Sequence, residues 1–239
     1  MPLLIIGNLD DVAGKPLWHD SLSALCQRKA LKIIKKTRVS SPAIIKKIKK
    51  IAPEIIFCIG STQILPREIL AIPQLGCLNI HPALLPQYRG RYSIPHAIFN
   101  GEKYTGVTLH WMDRGIDSGP IIMQERIKIG ENDTAKTIYG RFNLAGERLF
   151  VKFLNLWLGG QNIPSFPQDE NKASYQPKSL PNNGRIDWSW SGAKIRRFIR
   201  AMTFEPFPPL SFDMGKKKMV VIDKKYALAN AAIMALKEK

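Results

Sequence analysis

Short apolar, β-branched runs alternate with helical patterns along the first sixty residues of the chain. The apolar runs cover residues 3–7, 31–34 and 55–59, and apolar side chains recur at helical spacing over residues 17–28 and 42–51. Strands that alternate with helices are typical of a parallel sheet with helices packed against it. The pattern predicts a Rossmann-like α/β fold, with a mostly parallel sheet and helices on both faces.

Further elements follow the same pattern. The residues predict strands at 77–80 and 105–112, a short helix at 94–99 and a long amphipathic helix at 134–157 with Asp133 as its N-cap.

Glycine and proline become frequent after residue 158 and end this pattern. Gly159, Gly160, Pro164, Pro167 and Pro177 indicate a loop-rich crossover. We therefore expect an N-terminal domain over residues 1–165 and a small C-terminal α+β unit over residues 166–239, with a hairpin at 212–222.

The composition is that of an ordinary globular domain, with 45% hydrophobic and 23% charged residues. The three cysteines, Cys26, Cys58 and Cys77, are too few for a disulfide framework, and no Cys-x-x-Cys or His-x-x-x-His spacing suggests a metal site. The first residues lack a basic leader, and no apolar run reaches membrane-spanning length. We expect an unprocessed cytoplasmic protein without a metal.

The net charge of +17 predicts a partner or substrate that is an anion. Between Arg28 and Lys50 there are ten lysines or arginines and no acid. Ile44, Ile45, Ile48 and Ile51 make the end of this stretch an amphipathic helix, so its lysines are interpreted as a solvated face. The alternative is an RNA-binding surface.

The candidate chemistry lies at the ends of two predicted strands. Asn79 and His81 are two residues apart in Asn-Ile-His-Pro, so alternation puts both side chains on one face of a strand. Asp117 follows the strand at 105–112 through a short loop. An amide, an imidazole and a carboxylate without a nucleophile suit a transfer in which the substrate itself attacks a carbonyl carbon. The alternative is a turn-capping asparagine and a buried structural histidine.

The common nucleotide-binding motifs are missing from the sequence. The residues after the first strand are Gly7-Asn8-Leu9-Asp10, and they do not form the dinucleotide-binding motif Gly-x-Gly-x-x-Gly. The phosphate-binding motif Gly-x-x-x-x-Gly-Lys does not occur either. Nicotinamide chemistry and NTP hydrolysis therefore lose their main support. His96 and His110 are interpreted as structural residues on a helix and a strand.

Several motif blocks between residues 78 and 122 occur in a specific order. They are Leu-Asn-Ile-His-Pro-Ala-Leu-Leu-Pro-Gln-Tyr-Arg-Gly, Asn-Gly-Glu, Gly-Val-Thr-Leu-His and Asp-Ser-Gly-Pro-Ile-Ile. This order resembles the formyltransferases that use N10-formyltetrahydrofolate. The likeness covers residues 55–157 well, and residues 184–212 resemble the segment that joins the catalytic domain to the tail in larger members. The resemblance makes residues 1–165 the catalytic domain.

The resemblance implies a role for each candidate residue. The catalytic asparagine, histidine and aspartate of the family fall on Asn79, His81 and Asp117. Folate would lie against two loops, with Gln63, Ile64, Leu65, Arg114 and Gly115 as its contacts. The acceptor would lie against Tyr88-Arg89-Gly90-Arg91-Tyr92, where cations and aromatic rings suit phosphates and a base or sugar ring.

Three acceptors are compatible with the resemblance: an initiator aminoacyl-tRNA, glycinamide ribonucleotide and a nucleotide-linked amino sugar. The size and tail of the chain favour the sugar class, acting on a dTDP-linked amino-dideoxy sugar for surface polysaccharide or O-antigen synthesis. The candidate sugar is 4-amino-4,6-dideoxyglucose, and the hairpin is a candidate homodimer contact. The alternatives are a methionyl-tRNA formyltransferase-like enzyme and a basic, non-catalytic RNA-binding protein.

Overall fold

The computed structural model describes residues 4–9, 21–214, 217–221 and 226–238. The chain forms two compact units: Met1–Ile80 with Trp111–Gly115, and His81–His110 with Ile116–Lys239. The domain boundary expected near residue 165 stays a prediction.

The smaller unit alternates strands and helices in the predicted order. Its elements are β1 (Ile5–Ile6), α1 (Leu22–Arg28), β2 (Ile33–Ile34), α2 (Pro42–Ile51), β3 (Ile55–Cys58), α3 (Arg67–Leu70) and β4 (Gly76–His81), whose last residue belongs to the larger unit. β1 pairs with β2, and β3 with β4, both parallel. The predicted α/β class is confirmed. The predicted helix over 17–28 begins at Leu22 in the structure, and residues 10–20 lie outside the described residues.

Helix α2 shows why the hydrophobic pattern worked here. Ser41 is the N-cap and Pro42 occupies the first turn, where a missing N–H costs nothing. Ile44 and Ile48 are buried in the core of the unit, which also contains Val39, Cys58, Leu65, Ile69 and Cys77. The four lysines of α2 are exposed, as predicted.

The larger unit contains the remaining elements. They are β5 (Arg89–Gly90), α4 (Ser93–Asn100), β6 (Tyr104–Trp111), β7 (Ile121–Lys128), α5 (Ala135–Leu158), β8 (Tyr175–Gln176), α6 (Gly192–Met202), β9 (Leu210–Met214), β10 (Lys217–Val221) and α7 (Tyr226–Lys237), with 3-10 turns at Glu170–Lys172 and Pro181–Gly184. The last residue of β6, Trp111, belongs to the smaller unit. β6 and β7 are antiparallel, and β5 pairs with β8 in parallel.

The long helix α5 begins one residue later than predicted. Thr134 is the N-cap, and it forms a capping box with Thr137. Asp133 is therefore not the N-cap; its carboxylate accepts from the Gly130 N–H at 2.6 Å and the Thr137 hydroxyl at 2.9 Å. Ile138 and Phe153 are fully buried on the inner face of the helix.

The C-terminal part of the larger unit contains an aromatic cluster and a hairpin. Phe99 of α4 contacts Trp190 and Phe198 with ring centroids 5.1 and 5.8 Å apart. β9 and β10 pair antiparallel, which confirms the predicted hairpin, although Ile222 lies outside the described residues. The dimer contact expected of this hairpin stays a prediction.

All three cysteines are buried. Burial, with a smaller contribution from Cys58, raises the pKa of the Cys77 thiol to about 12. Among the described residues, none of the helices is both long and apolar enough to cross a bilayer. The same residues contain no group of three or more His, Cys, Asp or Glu side chains arranged to hold a metal ion.

Candidate active site

Strand β4 carries two of the three candidate catalytic residues at its carboxyl end. Asn79 is half-buried and pairs with Cys58, the last residue of β3. His81, the last residue of β4, is only 4% exposed. Alternation along the strand puts both side chains on the same face.

Both ring nitrogens of His81 have partners in the larger unit. Nδ1 lies 3.3 Å from Oδ2 of Asp117. Nε2 lies 2.8 Å from the carbonyl oxygen of Tyr88 and 3.2 Å from the Ser93 hydroxyl oxygen. Since a carboxylate and a carbonyl can only accept, a ring with a proton on each nitrogen satisfies both contacts.

Asp117 is fixed by three groups around its carboxylate. Its Oδ2, which faces His81, also accepts from the backbone N–H of Gly90 at 2.9 Å. Its Oδ1 lies 3.7 Å from Nε2 of His110, a side chain with 1% exposure. The hydrophobic pattern assigns His110 only a place on its strand. Asp117 comes back to contact His110 after the loop that follows β6, and the alternation of residues along a strand does not predict such a loop.

The predicted acceptor segment, residues 88–92, contains both buried and exposed side chains. Arg89 is fully buried, and its guanidinium is bound to Gln168, Glu170 and Tyr175. Gly90 contacts Asp117 as described above. Arg91 is exposed, and it is the cation of this segment that solvent and ligands can reach.

The two tyrosines of this segment are half-buried, and both have left-handed backbone conformations, with φ of 59° at Tyr88 and 56° at Tyr92. The Tyr88 hydroxyl donates to Glu102 at 2.7 Å and accepts from Asn100 at 3.1 Å. Burial raises the pKa of Tyr88 to about 12. The Tyr92 ring packs edge-on against Phe207.

The predicted folate residues all lie in the smaller unit and differ in exposure. Ile64 is 77% exposed, and Arg114 and Gly115 are exposed. Gln63 instead accepts from the Val39 N–H at 2.9 Å, and Leu65 is buried in the core. Ile64 and the loop residues are thus the accessible part of this set.

Two site residues are missed by sequence reasoning besides His110. Ser93, the first residue of α4, contacts His81 as given above. Gln168 lies 51 residues beyond Asp117, and its amide donates to the carbonyl oxygen of Asp117 at 2.8 Å. A lone glutamine in a proline-rich crossover carries no local pattern that marks it.

The fold is that of a formyl transferase. The formyl transferase family model matches residues 3–154, and the model of the formyl transferase C-terminal domain matches residues 178–233. Since the first match covers more than half of the chain, the protein belongs to this family, as the motif blocks indicated.

Its relatives of known sequence include methionyl-tRNA formyltransferases and a polymyxin resistance protein. A methionyl-tRNA formyltransferase of Caldanaerobacter subterraneus is 36% identical over 82% of this chain and 62% of its own length. A second, from Thermodesulfovibrio yellowstonii, is 33% identical over 92% of this chain and 70% of its length. The bifunctional polymyxin resistance protein ArnA of Wigglesworthia glossinidia is 34% identical over 92% of this chain and 33% of its own length. The chain therefore spans only part of these proteins.

The solved structures with a similar fold include sugar N-formyltransferases. One is WlaRD, a sugar 3N-formyl transferase solved in the presence of dTDP and 5-N-formyl-THF, with a TM-score of 0.71, 28% identity and coverage of 86% of this chain and 70% of that one. Another is the N-formyltransferase of Helicobacter canadensis, solved with folinic acid and dTDP-3-aminofucose, with a TM-score of 0.66, 27% identity and coverage of 88% and 73%.

Proposed function

We propose that the protein transfers a formyl group from N10-formyltetrahydrofolate to the amine of a dTDP-linked amino-dideoxy sugar. The observation that supports formyl transfer is the pairing of His81 with Asp117 at the end of the strand that carries Asn79. The 4-amino-4,6-dideoxyglucose nucleotide is the first candidate acceptor, and surface polysaccharide or O-antigen synthesis is the proposed use of the product.

The proposed reaction needs no protein nucleophile. The sugar amine attacks the formyl carbon, a C–N bond forms, and negative charge develops on the formyl oxygen. Collapse of the tetrahedral intermediate breaks the bond from the formyl carbon to N10, and N10 gains the proton that the amine loses.

The side chains of the site have matching roles. Asn79 and the doubly protonated ring of His81 donate hydrogen bonds to the oxygen that gains charge, and each such donor is worth about 3 kcal/mol in the transition state. Because Nε2 of His81 already faces the Tyr88 carbonyl, the bound formyl oxygen must share or replace that contact. Asp117 holds the ring, balances its charge and relays the amine proton, through water if needed.

The accessible folate residues fit an aromatic co-substrate. Ile64 presents an apolar side chain to solvent on the loop after β3, which suits the face of a pterin ring. The exposed backbone around Gly115 offers polar groups for a pterin edge, while Gln63 and Leu65 hold their loop in place from the inside. We therefore propose that Ile64, Arg114 and Gly115 contact folate directly.

The acceptor diphosphate is assigned to Arg91 rather than to the whole acceptor segment. Arg91 is exposed, whereas the charge of Arg89 is already paired with Glu170 at 2.6 Å. Tyr88 and Tyr92 would border the sugar or base.

A methionyl-tRNA acceptor is the second candidate because named tRNA enzymes match this chain at 33–36% identity. The exposed cations of residues 28–50 would suit tRNA phosphates. The sugar proposal is instead supported by the similar structures that were solved with dTDP or a dTDP-sugar.

One experiment separates these candidates. The protein is incubated with N10-formyltetrahydrofolate and, separately, dTDP-4-amino sugars, dTDP-3-amino sugars, UDP-amino sugars and initiator methionyl-tRNA, and the products are identified by mass. Formylation of a dTDP-sugar supports the proposal, and formylation of tRNA alone replaces it with the second candidate. Absence of formyl transfer to every acceptor, together with salt-sensitive RNA binding, would indicate the non-catalytic alternative.

A further inference from the structure

The side-chain amide of Gln168 connects two parts of the larger unit. Its Nε2 donates to the carbonyl oxygen of Asp117 at 2.8 Å and to that of Gly119 at 2.7 Å. Its Oε1 accepts from Nε and Nη2 of Arg89 at 3.1 and 2.9 Å. The amide nitrogen therefore faces two carbonyl oxygens and the amide oxygen faces a guanidinium. Only this orientation of the amide, and not the flipped one, satisfies all four hydrogen bonds.

All the hydrogen-bond donors of the Arg89 guanidinium are used in contacts with neighbouring side chains. Besides the two bonds to Gln168, its Nη1 donates to Glu170 at 2.9 Å and to the Tyr175 hydroxyl at 2.7 Å, and its Nη2 donates to Glu170 at 2.6 Å. A guanidinium has five N–H donors, and all five are used. The bond to Glu170 raises the pKa of Arg89 despite burial, so the side chain is a permanent, buried cation.

Asp117 has a backbone that needs external support. Its φ of 53° is in the left-handed region, which is unfavourable for a residue with a Cβ. Gln168 holds the carbonyl of this strained residue, and the N–H of Gly90 holds its carboxylate. Since Gly90 directly follows Arg89, one short strand, β5, supports both the backbone and the side chain of Asp117.

Gly90 also explains how β5 comes so close to β8. Its φ is 93°, and a Cβ at this position would lie 2.8 Å from the carbonyl oxygen of Gln176. β5 and β8 pair at this point, with Arg89 opposite Tyr175. The crossover after α5 is thereby fixed against the segment that follows His81.

From these contacts we infer that Arg89 and Gln168 are positioning residues that set the carboxylate of Asp117 against Nδ1 of His81. Arg89 acts through Gln168 and through its neighbour Gly90, and does not contact the substrate. The catalytic consequence rests on the proposed formyl transfer, whereas the positioning itself does not.

Two variants separate positioning from general stability. Gln168→Glu keeps an acceptor for Arg89 but replaces the donating amide by a carboxylate oxygen, which is repelled by the carbonyls of Asp117 and Gly119. Glu170→Gln is the matched control, because it removes the charge of the exposed partner of Arg89 and leaves the Gln168 amide in place. Gln168→Met, without added charge, replaces Gln168→Glu if that variant does not fold, as judged by circular dichroism.

Two readouts are measured on each variant. Formyl-transfer kinetics should show kcat falling about a hundredfold in Gln168→Glu, with a much smaller change in KM, because a misplacement near 1 Å has that effect on a catalytic group. Glu170→Gln should keep kcat within about threefold, even if its melting temperature falls, because the Gln168 amide keeps its bonds to the carbonyls of Asp117 and Gly119.

The second readout is the proton NMR signal of His81 Nδ1–H, identified by its loss in His81→Gln. It should shift or vanish in Gln168→Glu and stay in place in Glu170→Gln. An unmoved signal in the Gln168 variant overturns the positioning role, whatever the kinetics show. A wild-type protein that formylates no acceptor overturns the proposed function, and the NMR comparison then still decides the positioning role.

Discussion

Oδ2 of Asp117 lies 3.3 Å from Nδ1 of His81, and its position does not depend on His81 alone. The same oxygen accepts from the Gly90 N–H, and the other oxygen faces His110. A carboxylate held from several directions keeps one orientation before substrate binds, which is the property expected of a preorganised site.

Asn79→Ala and His81→Ala should each reduce kcat/KM for formyl transfer by at least about a hundredfold, since in the proposed mechanism each side chain donates to the developing oxyanion. Circular dichroism and melting curves should show that the fold survives. Turnover like that of the wild type in either variant would contradict the roles given to these side chains.

Asp117→Asn should lower kcat by about a hundredfold or more with little change in folate binding, because a neutral amide cannot take the amine proton as the proposed mechanism requires of Asp117. Steady-state kinetics with the acceptor found in the panel gives kcat, and fluorescence titration with tetrahydrofolate gives the binding constant. If only folate binding weakened, Asp117 would be a binding residue.

His110→Gln should lower kcat by about tenfold, less than the loss of Asp117, because it removes one of several contacts to that carboxylate. The double variant with Asp117→Asn should be no slower than Asp117→Asn alone, since both changes act through the same group. Additive losses in this cycle would show that His110 acts elsewhere.

The lowered pKa of His96 should make the free energy of unfolding depend on pH. Burial lowers the pKa of His96 below its ordinary 6.5, opposed in part by the bond from Nε2 to the Ser179 carbonyl. From pH 6.5 down to that lowered pKa, the unfolded chain therefore binds more protons at this site than the folded chain, so this contribution to stability is complete above pH 6.5 and is lost as the pH falls through that window. The slope is at most about 1.4 kcal/mol per pH unit.

The test for His96 is urea unfolding of the wild type and His96→Gln between pH 5 and 7.5. The difference in unfolding free energy between the two proteins should shrink as the pH falls. Parallel curves would show that His96 does not titrate differently in the two states.

Two glycine-to-alanine changes should have opposite effects on stability. A Cβ on Gly106 would clash with Leu84 and lie 2.5 Å from the Glu125 carbonyl oxygen, whereas a Cβ on Gly140 of α5 would meet nothing within 4 Å. Gly106→Ala should destabilise by about 1–3 kcal/mol through overpacking. Gly140→Ala should stabilise by about 0.5–1 kcal/mol through helix propensity. Chemical denaturation measures both, and equal shifts would contradict the packing at Gly106.

Local patterns predicted the elements that depend on local chemistry. Helix α2 is predicted by the spacing of Ile44 and Ile48, and in the structure Ser41 and Pro42 begin the same helix. Helix α6 has the same kind of signal in Ile195, Phe198, Ile199 and Met202, all buried, but the sequence analysis predicts only a small α+β unit there. The sequence analysis misses strand β7 (Ile121–Lys128), because its first residues fall inside the Asp-Ser-Gly-Pro-Ile-Ile motif block.

The candidate site was less accessible to such reasoning. Alternation along β4 related Asn79 to His81, and the family motifs added Asp117. The Gln168 amide could not be found in this way, because its partners are 49 to 79 residues away in sequence and the crossover between them has no periodic pattern.

Because its three thiols are buried, the native protein should react little with reagents that modify exposed cysteines. Maleimide dyes need an accessible thiolate, and none of Cys26, Cys58 and Cys77 offers one in the folded chain. A single cysteine introduced at exposed Ile64 would then be the one site labelled, and its fluorescence could report folate arriving at that loop without removing any native residue of the core.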